Sequence, residues 1–219
     1  MRTQLKAVLF DLDGVIVDTA KYHYLAWKKL ADREGIYFDE KINERLKGVS
    51  RMASLEIILE RSTRVYSEEE KHKMTEIKNN WYREMIGQLK PDEILPGVID
   101  FLNSLKKHGI KCAICSASKS AAYIIEKLGI TDYFDTIVGG QDITKSKPDP
   151  EVFLVAAERL NVFPAECVVL EDAYAGLEAA KRAGMKAVGL GDPDILTNAD
   201  VVYKDMTEVS LEKVLRLFE

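Results

Sequence analysis

"KAVLFDLDGVIVDT", Lys6 to Thr19, decides how the rest of the chain is read. Residues 6–10 form a continuous apolar-rich run, the pattern of a strand covered on both faces. The run stops at Asp11, and a second carboxylate, Asp13, follows two residues later. Gly14 then permits a tight turn before the next apolar run. Two acids at the carboxyl end of a buried strand need a physical reason, because crowded like charges raise each other's pKa.

Working outward, the same strand pattern recurs at 111–115, 136–138, 167–170 and 186–190, with a weaker run ending at Tyr203. Helical stripes fall between them. "GVIDFLNSLKKHG" places Val98, Phe101, Leu102 and Leu105 on one face and stops at Gly109, and "SAAYIIEKLG" and "GLEAAKRAG" stop at Gly129 and Gly184 in the same way. "DPEVFLVAAERL" opens with Asp149 as an expected N-cap and Pro150 in the first helical position. Strand and helix in alternation predict an α/β fold, a doubly wound parallel sheet with helices on both faces.

Residues 18–90 break that rhythm. They hold helical patterns, among them "AKYHYLAWKKLADREG" and "SEEEKHKMTEIKNNWYREMI", and no convincing strand; Ser67 to Glu70 reads as a capping box. The expected organisation is a core built from 1–17 and 91–219, with a helical cap domain of 18–90 inserted after the first strand.

Composition narrows the classes. The 219 residues are 47% hydrophobic and 31% charged, ordinary globular material, and the net charge of -5 argues against nucleic acid or an anionic membrane as the main partner. The N-terminus lacks a signal-peptide core and no apolar stretch is long enough to cross a bilayer, so the cytoplasm is the expected location. Three cysteines fit a reducing compartment. Cys112 and Cys115 spell C-x-x-C, but positions i and i+3 of a strand face opposite sides, and no second Cys/His pair stands at zinc-finger spacing. They read as core cysteines.

Ligands of an open parallel sheet bind at the carboxyl ends of its strands. The residues expected there are Asp11, Asp13, Ser116, Lys147, Glu171 and Asp172. Singly each has a bland reading: Asp as a turn or cap residue, Lys147-Pro148 as an ordinary turn, Glu171-Asp172 as a helix cap. Together they form a set of carboxylates that a hard cation such as Mg²⁺ neutralises, plus an ammonium and a hydroxyl suited to phosphate oxygens. The chemistry this arrangement serves is phosphoryl transfer. One of the first two acids can attack phosphorus while the other handles the proton of the leaving or entering oxygen.

"DLDGVIVDT", Ser116, "SKPDP" and "LEDAYAG" resemble the four motifs of the haloacid dehalogenase superfamily of phosphotransferases, over essentially the whole chain. The resemblance implies Asp11 as nucleophile and Asp13 as general acid/base. It implies Mg²⁺ held by Asp11, the Asp13 carbonyl and Asp172 with Glu171 in support, and Ser116 and Lys147 on the transferring phosphate. "YHYLAWKKLA", "LKGVSR", "IKNNWY" and "SASKS" resemble the sugar-phosphate mutases of that superfamily. That implies Arg51 on a distal phosphate, with Ser118 and Lys119 assisting and Ala117 and Ser120 in the same substrate-binding stretch. It further implies His23 in closure or proton transfer, Thr19 at a hinge, and Trp27, Gly48, Val49 and Lys78 around the sugar.

From pattern alone, His23 and Trp27 share a helix face, "LKGVSR" is a basic turn, and the Lys78 stretch is a solvated helix face. The expected partner is a small sugar phosphate, and a swinging cap favours a monomer. Two rivals stay open: a sugar-phosphate phosphatase on the same scaffold, and a receiver-like signalling module phosphorylated on Asp. An insert of about seventy residues is far beyond usual loop lengths and argues against the second.

Overall fold

The short, nearly uncharged runs punctuated by Gly, Asp and Ser do become strands. The computed structural model describes residues 4–46 and 50–219. In chain order the elements are β1 (Ala7–Phe10), α1 (Ala20–Arg33), α2 (Glu40–Glu44), α3 (Arg51–Leu59), α4 (Glu68–Ile86), α5 (Val98–Lys107), β2 (Lys111–Cys115), α6 (Ala121–Lys127), β3 (Thr136–Val138), α7 (Glu151–Leu160), β4 (Cys167–Glu171), α8 (Tyr174–Arg182), β5 (Lys186–Leu190), β6 (Val201–Tyr203) and α9 (Leu211–Leu215). They group into two compact units, one of residues 1–18 and 89–219, the other of residues 19–88.

In the first unit all the strand pairings are parallel and the spatial order is β3-β2-β1-β4-β5-β6. The chain builds outward from β1 to β3, then returns to the other side of β1 as β4. The crevice of such a sheet opens where that reversal occurs, outside the carboxyl ends of β1 and β4. Ala7 and Leu9, Ala113 and Cys115, and Cys167 and Val169 face one side, under Val152, Phe153 and Ala156 of α7 and Leu177 and Ala180 of α8. Phe10 faces the other side, edge-on to Phe101 of α5 and to Phe134 with ring centroids 6.0 Å apart in both cases. Both faces are thus covered, and a fully buried ring such as Phe153 contributes about 1.5–3 kcal/mol. All three cysteines are free and buried, and desolvation raises their thiol pKa values well above the ordinary range. They are packing residues.

Among the described residues of the second unit there are helices and no strand. Trp27, Leu30 and Ala31 of α1, Ile42 of α2, Leu55 and Ile58 of α3 and Met74 of α4 share a core with Ile36 and Phe38. The Ser67–Glu70 capping box forms at the start of α4, with the Ser67 hydroxyl accepting from the Glu70 amide and the Glu70 carboxylate accepting from the Ser67 amide.

Three local expectations change. Asp149-Pro150 does not open α7 at Pro150: that residue is the N-cap, the helix starts at Glu151, and Asp149 Oδ1 accepts the Glu151 amide at 3.1 Å. Arg51 is not in a turn; it is the first residue of α3, whose N-cap Ser50 accepts from the Ala53 amide. Lys78 does not lie on a solvated face; it is 2% exposed. The eighteen-plus-residue apolar helix that a bilayer demands is absent among the described residues.

Candidate active site

The end of β1 sets the first group. Parallel pairing of β1 with β4 puts Phe10 beside Leu170, so Asp11, just past β1, and Glu171, the last residue of β4, stand at the same level at the carboxyl edge of the sheet. The Asp11 amide donates to the Leu170 carbonyl at 3.0 Å. Asp172 follows directly. One carboxylate oxygen from each of Asp11, Glu171 and Asp172 lies within 4.8 Å of the others.

Lys147 enters from the connection between β3 and α7. Its ammonium donates to Asp11 Oδ1 at 2.5 Å, to Glu171 Oε2 at 2.7 Å and to the Cys115 carbonyl at 3.1 Å, and it lies 5.1 Å from the centre of the Phe153 ring. Burial alone would lower its pKa, but the charges of Asp11 and Glu171 win and hold it above the usual lysine range. Burial and the Asp11 charge push Glu171 up, against the pull of Lys147. Asp172 is raised to about 6 by loss of water and then by Asp11, with Asp13 adding a smaller push. Three carboxylates therefore face one ammonium. That excess of negative charge, on an all-oxygen donor set, is what a hard divalent cation such as Mg²⁺ relieves.

Two glycines make the crowding geometrically possible. A Cβ on Gly14, whose φ is +81°, would fall on the Asp172 carboxylate, and a Cβ on Gly176 would fall on the Glu171 carboxylate. The bare Cα atoms are the seats of the two acids. Asp13, half-buried, lies in the turn whose backbone bridges to Val17.

Ser116 follows β2, the other neighbour of β1, and is 3% exposed. Its Oγ accepts from the Ser118 amide and Ser118 Oγ accepts from the Ser120 amide, each at 3.1 Å, so the segment turns tightly into α6. Ala117 and Lys119 are the exposed members of that turn. Its path is held against the next connection: the Gly140 amide donates to the Ser118 carbonyl, and Gly140 has no room for a side chain beside the Ala117 carbonyl.

The helical unit holds the second group. Lys78 Nζ lies 2.8 Å from His23 Nδ1, 4.8 Å from the centre of the Trp27 ring and 5.1 Å from that of Tyr82. His23 stacks on Tyr82 with centroids 4.0 Å apart. Burial, then the nearby Arg51 charge, lowers the Lys78 ammonium to about 7. Loss of water from the covered ring face, with the charges of Lys78 and Arg51, holds His23 well below the usual histidine range. A neutral imidazole accepts at one nitrogen and donates at the other. While Lys78 is an ammonium it can only donate, so in that state Nδ1 accepts and the Nε2–H of His23 is the donor. Thr19, fully buried, is the N-cap of α1, and its carbonyl accepts from the Tyr22 and His23 amides. Gly48 and Val49 lie outside the described residues. Tyr82 was not singled out from sequence, yet it stands four residues after Lys78 on α4 and so on the same face, the signal that finds it.

The Lys78 shift has a stability consequence with a definite sign. Between about pH 7 and its unfolded value of 10.5 the unfolded chain holds a proton that the native one lacks, so stability rises with pH across that window and the penalty is fully present below pH 7. Lys78→Met is expected to stabilise the protein at neutral pH by roughly 1–4 kcal/mol and to flatten that rise. Denaturant midpoints at about pH 7 and pH 10 measure both effects, and a destabilised variant contradicts the reading.

The parallel sheet, the acids at its switch point and the lysine opposite them define a phosphotransferase-type site, and the chain belongs to the haloacid dehalogenase-like hydrolase family, whose model matches residues 5–184. The chain is 46% identical over 210 residues to β-phosphoglucomutase of Bacillus subtilis (strain 168), covering 95% of this chain and 93% of the relative. A crystal structure of β-phosphoglucomutase from Clostridium difficile matches it with a TM-score of 0.86 at 44% identity, covering 98% of this chain and 97% of that one. A phosphorylated carbohydrates phosphatase of Thermotoga maritima is 33% identical over 187 residues, 84% of each chain. The chain is therefore an enzyme, and the receiver-like reading falls away.

Proposed function

We propose that this chain interconverts β-D-glucose 1-phosphate and β-D-glucose 6-phosphate through a phosphorylated Asp11 and a bound β-glucose 1,6-bisphosphate. The observation that carries the reading is two separate groups of basic side chains, Lys147 among the strand-end acids and Arg51 near the buried Lys78 in the helical unit. A bisphosphate needs a grip for each end, whereas a phosphatase needs one. The 46% identity to a β-phosphoglucomutase supports it.

In this reading Asp11, the Asp13 carbonyl and Asp172 would hold Mg²⁺, with Glu171 in support, and the ion would supply charge neutralisation among these acids and the phosphoryl oxygens. The Asp11 carboxylate attacks phosphorus, a new P–O bond forms, and the bond to the sugar oxygen breaks. Asp13 gives its proton to that leaving oxygen, and in the second half it takes the proton of the attacking sugar hydroxyl. Lys147, the Ser116 hydroxyl and the amides that follow it hold the transferring oxygens. Arg51 clamps the far phosphate in two-pronged fashion with Ser118 and Lys119 assisting, while Trp27 and Lys78 line the sugar and His23 donates through Nε2–H. Thr19 begins the helical unit and is assigned to the hinge. If Asp13 engages only when a sugar phosphate closes the site, water competes poorly for the phosphoenzyme.

A coupled assay on the β and α anomers of glucose 1-phosphate, primed with bisphosphate, tests the substrate. Glucose 6-phosphate from the β anomer alone is expected; free phosphate released as fast as sugar phosphate disappears establishes the phosphatase. Arg51→Ala is expected to weaken sugar-phosphate affinity by about 10–100-fold, the worth of a charge-assisted pair, and to leave reaction with a small phosphoryl donor within about threefold. Equal losses on both would remove Arg51 from the distal grip.

A further inference from the structure

Lys147 has to reach three acceptors from a connection, residues 139–150, that contains no helix or strand. On the N-terminal side of Lys147 its backbone is tied to one carboxylate, that of the first residue of α7. Glu151 Oε2 accepts from the Thr144 amide at 2.9 Å and from the Lys145 amide at 2.7 Å, and both carboxylate oxygens lie 3.1 Å from the Thr144 hydroxyl. Beyond Lys147 the chain is closed by the Asp149 amide donating to the Ser146 carbonyl and by the Glu151 amide donating to Asp149 Oδ1, each at 3.1 Å. Lys147 is thus bracketed on both sides by bonds made at one residue. That residue stands at a helix N-terminus, where a carboxylate is favoured. It is rigidly mounted, because Val152, Phe153, Ala156, Ala157 and Leu160 of α7 are buried against the sheet.

We propose that Glu151 is a positioning residue for phosphoryl transfer: it clamps the Thr144 and Lys145 amides and so fixes the height and direction from which Lys147 enters the acid cluster. Glu151 itself reaches none of the reacting groups in this assignment, which rests on the reading of Lys147 as the ligand of the transferring phosphate. The far end of the connection has its own tie, Asp142 accepting from the Gly139 amide at 2.8 Å and pairing with Arg159 at 2.7 Å, so losing Glu151 frees the segment near Lys147 rather than the whole connection. Freedom of about 1 Å at a charge-stabilising group costs up to about a hundredfold in rate.

The test is a double-mutant cycle on the full chain, read as kcat and KM for β-glucose 1-phosphate. Glu151→Ala is expected to lower kcat by about 10–100-fold with KM inside twofold, because substrate grips elsewhere are untouched. Glu151→Gln keeps an oxygen that can accept from both amides and is expected to retain activity within about threefold; it also serves if the alanine variant does not fold. Placed in a Lys147→Ala background, Glu151→Ala is expected to change the residual rate by less than about twofold, and hydrogen exchange at the Thr144 and Lys145 amides accelerates in the single variant. An additive loss in the two backgrounds, a rise in KM matching the fall in kcat, or parental activity in Glu151→Ala overturns the proposal while leaving the Lys147 assignment intact. Parental activity in Lys147→Ala overturns both.

Discussion

Asp11→Asn is expected to reduce turnover to about 10⁻⁴ of the parent rate or less, the scale on which loss of a covalent nucleophile acts. The amide is nearly isosteric, so the β1–β4 pairing and the Asp11 amide bond to Leu170 persist. What disappears is the anionic oxygen whose nucleophilicity the phosphoenzyme requires, and with it one of three negative charges in the acid cluster. Removing that charge relieves the repulsion that raises Glu171 and Asp172, so the variant is expected to be at least as stable as the parent. The signature is thus a dead enzyme with an unchanged or higher denaturant midpoint and no acid-stable, hydroxylamine-sensitive phosphate on the protein after exposure to a phosphoryl donor. A variant that turns over like the parent removes Asp11 from the chemistry and with it the reading of the whole site. Chelation of divalent cations is a parallel check on the parent enzyme: rates are expected to collapse and to return on adding Mg²⁺.

Gly176→Ala separates local propensity from tertiary fit. Gly176 lies in the first turn of α8, and by helix propensity alone alanine is better there by up to about 1 kcal/mol. Its Cβ, however, would land on the Glu171 carboxylate, and Glu171 is 2% exposed. The carboxylate has to leave its seat, and its 2.7 Å pair with Lys147 goes with it. Overpacking costs typically about 1–3 kcal/mol, and breaking a buried ion pair adds to that, so the tertiary effect wins. We expect a net destabilisation of at least about 2 kcal/mol and a loss of activity of about 10²-fold or more, since the Lys147 ammonium is no longer shared between Glu171 and Asp11. Denaturant melts and kcat measured on one preparation decide it. A stabilised, fully active Gly176→Ala enzyme would show that Glu171 moves freely and that the seat has no role.

These two positions also mark how far the sequence carries. Asp11, Asp13, Glu171 and Asp172 were legible because each stands at or just past the end of an apolar run, and Lys147 because it opens a Lys-Pro turn; such punctuation is local. The strand positions at 111–115, 136–138 and 186–190 followed from the same short-range signal and coincide with β2, β3 and β5. That Lys147 bonds both Asp11 and Glu171 could not be read, because their contact spans 136 residues of chain in one case and 24 in the other. Gly176 stood in the quoted "LEDAYAG" stretch, but nothing in the string says that its missing side chain is the space for Glu171.

The burial of Lys78 is what the local pattern misses. The α4 sequence, "EEEKHKMTEIKNNWYREMI", is rich in charge, and a lysine beside two asparagines reads as a solvated face. Whether that face is solvated depends on what lies over it, and the groups over it, His23 and Trp27, come from α1 more than fifty residues earlier.

From its sequence alone, then, this protein's parallel α/β core, its helical insert and the identity of its strand-end acids were determined, because apolar periodicity, glycine stops and post-strand carboxylates act within a few residues. Only the tertiary structure decided which charges are buried, which glycines make room for them and which carboxylate steadies Lys147. Desolvation and close packing depend on neighbours remote in the chain, and no local pattern encodes them.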